Sequence, residues 1–130
     1  MQELKDRIVK EGKVLPGNII KVDGFLNHQI DPALLYEMAL ELKRLYAGEE
    51  VTKVLTIEAS GIAVAMAAAA ALHVPMVFAK KHRTGNLSGE FYTAVVHSYT
   101  HGTDYHVVVS RDYLCPQDRV LLVDDFLANG

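Results

Sequence analysis

Arg119-Val120-Leu121-Leu122-Val123-Asp124-Asp125-Phe126-Leu127-Ala128-Asn129-Gly130 is the stretch whose reading decides the fold. Its four consecutive apolar residues predict a fully buried strand of the parallel kind. Two adjacent carboxylates stand at the C-terminal end of that strand. Ala128-Asn129-Gly130 then supplies the small-residue chemistry of a tight loop able to take positive φ. In open α/β sheets, ligands sit beyond the carboxyl ends of the strands. Carboxylates there can take a sugar's hydroxyls, and backbone N–H groups after them can take an adjoining phosphate. The same spacing equally describes a buried strand that ends in a solvated acidic turn.

Composition narrows the class. The 130 residues fit one domain, and with half of them hydrophobic and 22% charged they predict a globular chain. A formal net charge of -3 argues against a surface that coats nucleic acid, and nothing suggests membrane attraction. No run approaches the roughly 18 apolar residues of a spanning helix. The mixed-charge start Met1-Gln2-Glu3-Leu4-Lys5-Asp6-Arg7 lacks a signal peptide's apolar core. One cysteine, Cys115, excludes an internal disulfide and a cysteine-based zinc cage. A cytoplasmic protein is the expectation.

Working outward from the closing stretch, residues 2–11 read as a short amphipathic helix, with Leu4, Ile8 and Val9 at helical spacing and Gly12 as its stop. Lys13 to Asn18 reads as a turn around Pro16-Gly17, and Ile19 to Val22 as a short strand. Phe25-Leu26-Asn27-His28-Gln29-Ile30 sets a polar trio between apolar residues in an irregular segment, where such side chains commonly satisfy local backbone groups. Asp31-Pro32 opens a helix well, as N-cap and first residue, with Leu34, Leu35, Met38, Leu42 and Leu45 as the buried stripe and Gly48 as the stop.

Val51 to Ile57 predicts a strand that buries Val54, Leu55 and Ile57. Glu58-Ala59-Ser60-Gly61 turns it into an alanine-dense helix, Ile62 to Leu72, whose first N–H groups offer an anion site. Val74 to Ala79 is the next strand. Lys80-Lys81-His82-Arg83 and the polar run Thr84 to Glu90 read as a flexible basic loop suited to a pyrophosphate, or as an ordinary solvated surface. Phe91 to Thr100 and Tyr105 to Ser110 predict a β-hairpin, and Arg111 to Asp118 links it to the closing strand. The expected class is α/β, with a right-handed crossover in the first strand-helix-strand unit.

Val-Leu-Leu-Val-Asp-Asp-Phe-Leu-Ala-Asn-Gly resembles the 5-phosphoribosyl-1-diphosphate (PRPP) motif of type I phosphoribosyltransferases. A receiver domain's acidic pocket shares the strand and the acids, but it opens its domain and this stretch closes the chain. Three further segments, at 21–32, 56–63 and 77–82, occur in the order found in the xanthine phosphoribosyltransferases, a purine-salvage family within the type I group. The resemblance spans the whole chain. It implies a mostly parallel sheet flanked by helices, a hood over residues 1–32, a core over 33–130, and a β-hairpin with a flexible loop.

The resemblance also implies roles. Ile20 and Asn27 match hood positions that contact the xanthine base. Glu58, Ala59, Ser60 and Gly61 match the pyrophosphate loop. Lys80-Lys81-His82 match the mobile segment, whose basic residue (here Lys81) reaches a neighbouring subunit's site in related enzymes. Asp124 and Asp125 match the acids that engage the ribose hydroxyls directly or through Mg²⁺, and Ala128, Asn129 and Gly130 match the 5′-phosphate loop. The implied reaction joins xanthine to PRPP to give xanthosine monophosphate and diphosphate, in a homodimer with no nucleic-acid or membrane partner. Ala128 departs from purine members that carry a third carboxylate there. The resemblance further implies a chain interrupted inside its motif, so that an isolated 1–130 polypeptide is expected to be poorly soluble and inactive. A PRPP-sensing domain of a transcription regulator is the alternative.

Overall fold

The structure is a computed structural model that describes residues 1–17, 19–82, 89–98 and 103–126. Helix α1, Gln2–Glu11, stops where the sequence predicts, with the Gly12 N–H donating to the Ile8 carbonyl at 2.9 Å. Leu4 and Ile8 pack inward, whereas Val9 is 85% exposed, because one helix face has a partner and Val9 lies off it. Strands β1, Lys13–Leu15, and β2, Ile19–Lys21, form a small antiparallel hairpin around Pro16-Gly17. Gly17 holds φ at +87°, a conformation that costs glycine little. The sequence marks only a turn over 13–18. β1 exists because Val14 finds its register partner in Ile20.

Asp23–Asn27 winds into a π-helical segment rather than an irregular loop, and it buries Phe25 and Leu26. Helix α2, Pro32–Leu45, begins as predicted: Asp31 Oδ1 accepts from the N–H groups of Ala33 and Leu34. Leu34, Leu35 and Ala39 are buried, and Met38 and Leu42 pack beside them. Leu45 is exposed instead of buried: it is the last residue of the helix, directly before the cap at Tyr46.

Strand β3, Lys53–Ile57, helix α3, Gly61–Leu72, and strand β4, Met76–His82, build the central unit, followed by β5, Phe91–Ser98, β6, Thr103–Ser110, and β7, Val120–Leu122. The five-stranded sheet runs β5-β6-β4-β3-β7. β3 pairs in parallel with both β4 and β7, and the β5–β6 hairpin adds to β4 in antiparallel fashion. Among the described residues, no helix is long and apolar enough to cross a membrane.

Two corrections bear on the site. Lys80, Lys81 and His82 are not loop residues but the end of β4, in register with Val108, Val107 and His106. Backbone partners on β6 extend the strand past the point where lysine's weak strand preference suggests a stop. β7 is not fully buried either: Leu121 and Val123 face the helices, but Leu122 is 69% exposed. β7 is an edge strand, and the helical layer covers only one of its faces.

That layer carries the main core, where Val54, Val64, Ala65, Ala68, Leu121 and Val123 meet Phe25 and Leu34. The small side chains of α3 let the helix lie close on β3. The opposite face holds a smaller cluster of Ala79, Val107 and Val109, flanked by Leu55, Ile57, Val77 and Leu114.

Candidate active site

The parallel strands β3 and β7 end side by side, and the segments that leave them face each other. After β7, the Val123 N–H still donates to the Leu55 carbonyl at 2.9 Å, so Asp124 and Asp125 leave the sheet beside the loop that leaves β3. Asp125 is gripped from both sides. Ser60 Oγ donates to its Oδ1 at 3.1 Å, and Asn27 Nδ2 donates to its Oδ2 at 3.1 Å. Three segments distant in sequence thus converge on one carboxylate: the π-helical segment, the loop before α3, and the end of β7.

Asp124 sits differently. Its Oδ1 accepts the Asp125 N–H at 2.9 Å and lies against Gly61 so closely that a Cβ built on Gly61 would come within 2.5 Å of it. That packed end is desolvated although the rest of the residue is open. Burial is the largest cause pushing the Asp124 carboxyl above its ordinary value, and neighbouring Asp125 pushes the same way. The Asp125 N–H and the charge of Lys81 oppose the shift.

Ser60 occupies the N-cap position of α3 without capping it, because its hydroxyl is committed to Asp125. The first N–H groups of a helix have no partner within it, so this end offers donors to an anion. Glu58 fastens the loop to the sheet: its N–H donates to the Ala79 carbonyl at 3.0 Å, and its Oε1 accepts the Lys81 N–H at 2.6 Å. The Glu58–Ala59 peptide is cis, and the Ala59 carbonyl accepts from the Ile62 N–H. Lys81 Nζ lies 5.5 Å from the centre of the Tyr105 ring.

The expected site residues therefore fall into four groups. Asn27, Ser60, Gly61, Asp124 and Asp125 meet directly, and Glu58, Ala59 and Lys81 frame them. Ile20 lies half-exposed on the two-stranded hairpin, which pairs with no strand of the main sheet. Ala128, Asn129 and Gly130, like most of the expected flexible loop at 83–88, lie outside the described residues. Three features escaped the sequence reading: the side-chain grips of Ser60 and of Asn27 on Asp125, and Thr56. The Thr56 side chain is wholly buried, and its hydroxyl, which has no hydrogen-bond partner, faces Gly61. A single threonine inside Val54-Leu55-Thr56-Ile57 was the available signal.

No group of three possible metal-ligating side chains occurs among the described residues. The adjacent carboxylates offer two hard oxygen ligands. That suits Mg²⁺, a cation usually held by one or two carboxylates together with waters and substrate phosphates. An apolar groove of about 620 Å³ runs between α2 and α3, lined by Leu35, Ala39, Ala67 and Met66, and it contains none of these acids.

The phosphoribosyl transferase domain family matches residues 23–130. Xanthine phosphoribosyltransferases from Lactiplantibacillus plantarum and Lachnoclostridium phytofermentans are 53% and 54% identical over the whole chain, which spans 67% of each. Among solved structures, an APRTase from Giardia lamblia complexed with 9-deazaadenine is similar at a TM-score of 0.71 and 25% identity, over 92% of this chain and 65% of that one. An adenine phosphoribosyltransferase from Rhodothermus marinus is similar at 0.68 and 22%, over 94% and 69%. With the match covering the sheet, both acids and the loop before α3, the chain belongs to the phosphoribosyl transferase family.

Proposed function

We propose that this protein is a purine-salvage enzyme that transfers a phosphoribosyl group from PRPP to xanthine, giving xanthosine 5′-monophosphate and diphosphate. The observation that carries the reading is the convergence on Asp125 of Ser60 and Asn27, beside Asp124 and the uncapped start of α3. Relatives named as xanthine phosphoribosyltransferases share more than half of its residues, which supports xanthine over adenine as the base.

In this reading Asp124 and Asp125 accept the ribose hydroxyls, and the free N–H groups at the start of α3 hold the leaving diphosphate. As the bond from the anomeric carbon to diphosphate breaks, positive charge builds on the ribose, and the two carboxylates stabilise it. A purine ring nitrogen takes the vacated position and releases its proton to water, and Asn27 and Ile20 orient the base. Holding the two reactants in line supplies much of the acceleration, so no covalent nucleophile is needed. Mg²⁺, bound with PRPP by Asp124 and Asp125, would neutralise diphosphate charge. Ala128, Asn129 and Gly130 take the 5′-phosphate. Residues 1–32 act as hood and 33–130 as core, and the protein works as a cytoplasmic homodimer.

A transfer assay with PRPP and Mg²⁺ on the full-length protein tests this, offering xanthine, guanine, hypoxanthine and adenine separately. Preferential turnover of xanthine is expected. Turnover of none of them, with PRPP still bound, would replace the enzyme by a PRPP-binding module.

A further inference from the structure

Thr56 is the one polar residue in the buried core of the described residues, and its hydroxyl has no partner. Such a group is expensive, because burial strips the hydroxyl of water and returns no partner, and valine would fill the same volume of a β-strand without that cost. Packing therefore does not explain a threonine here.

Its surroundings do. A Cβ built on Gly61 would collide with two atoms, Thr56 Oγ1 and Asp124 Oδ1. The hydroxyl and the carboxylate oxygen thus approach the same point from two strands, β3 and the end of β7, separated only by a residue without a side chain. Asp124 Oδ1 has one donor, the Asp125 N–H at 2.9 Å. An ionised carboxylate has room for more.

We propose that Thr56 is a positioning residue, whose hydroxyl donates to Asp124 Oδ1 and fixes that carboxylate once PRPP engages it. The inference rests on the proposed assignment of Asp124 to the ribose of PRPP. Small rotations at the end of β7 bring the two oxygens together, because Gly61 puts nothing between them. The unpaired hydroxyl of the free protein becomes a paired one in the complex, so part of the cost of burying it returns as affinity.

The test compares the unaltered protein with Thr56→Val and Thr56→Ser. Melting temperature is measured alone, PRPP binding is measured by calorimetry with Mg²⁺, and steady-state kinetics are measured with xanthine. Thr56→Val is expected to melt at the same or a higher temperature, yet to bind PRPP about tenfold more weakly. Its KM for PRPP rises by a similar factor while kcat changes little, the pattern of lost uniform binding. Thr56→Ser keeps the hydroxyl and restores most of the affinity, although it melts lower for want of the methyl. Equal PRPP affinity in the unaltered protein and Thr56→Val overturns the proposal and leaves the enzyme reading intact. An unaltered protein that neither binds PRPP nor transfers from it overturns both.

Discussion

At the scale of single residues, the site trades stability for a charged pair. Asp124 is held above its ordinary value by burial of its packed end and by Asp125. A carboxyl raised in the folded state favours folding most below its unfolded value, and that advantage is lost as pH rises through the folded value. Above its unfolded value, ionising Asp124 therefore works against the fold. Asp124→Asn should raise the melting temperature by a few degrees at pH 7, with the gap closing below about pH 4. The same change should weaken PRPP binding by at least tenfold. Melts across pH and calorimetry check the two halves, and a variant that melts lower at pH 7 contradicts the first. Gly61 is the other constrained position. An added methyl would meet both Asp124 Oδ1 and Thr56 Oγ1. Gly61→Ala should cost roughly 1–3 kcal/mol, as overpacking does, and should also displace the carboxylate. Loss of stability without loss of PRPP affinity would show that the acid tolerates the shift.

At the scale of elements, what the sequence disclosed was what neighbours in sequence decide. α1 and α2 were legible to within a few residues because periodicity, Gly12 and the Asp31-Pro32 start act within one or two turns. The β5–β6 hairpin was legible through its own alternation. β1 and the end of β4 were not, since their strand character comes from partners: Ile20 for Val14, and β6 for Lys80 and Lys81. Within the site, the acidic pair announced itself, but the Asn27 and Ser60 grips on Asp125 span 98 and 65 residues, and no local pattern encodes them. A second long-range knot ties the opposite end of the sheet. Asp118 accepts from Thr52 Oγ1 at 2.9 Å, Lys53 Nζ at 3.0 Å and the Cys115 N–H at 2.9 Å. These bonds, the Cys115 N–H foremost, hold Asp118 well below the usual carboxylate range. A depressed carboxylate stabilises fully above its unfolded value, and the contribution drains away as pH falls towards the folded one. Asp118→Asn should therefore melt several degrees lower at pH 7 and should approach the unaltered protein as pH drops below about 4. A gap independent of pH would mean that the carboxylate's charge plays no part in fastening β7 to β3.

At the scale of the molecule, two cores of unequal size share one sheet. The larger joins α1, the π-helical segment, α2 and α3 to β3 and β7, and it buries Phe25, Leu34, Val54 and four residues of α3. The smaller rests on three buried residues, Ala79, Val107 and Val109. β5 lies at the outer edge, hydrogen-bonded to β6 alone, with Val95 62% exposed. Local stability tracks buried apolar contact, and units with little of it open at lower free energy than the whole. The β5–β6 hairpin should therefore open before the β3-α3 unit. Because Lys81 belongs to β4 beside that hairpin, and its N–H is bonded to Glu58, opening would loosen one anchor of the loop that leads to Ser60. The carboxylate pair stays on β7, which is paired with β3 instead. Hydrogen exchange under native conditions reads this directly. Amides of β5 and β6 are expected to exchange at least tenfold faster than those of β3 and α3, a difference of about 1.4 kcal/mol in opening free energy. PRPP should slow exchange in the segment 58–61 and in α3 more than in β5. Uniform exchange across all five strands would instead make the sheet one cooperative unit, with both cores unfolding together.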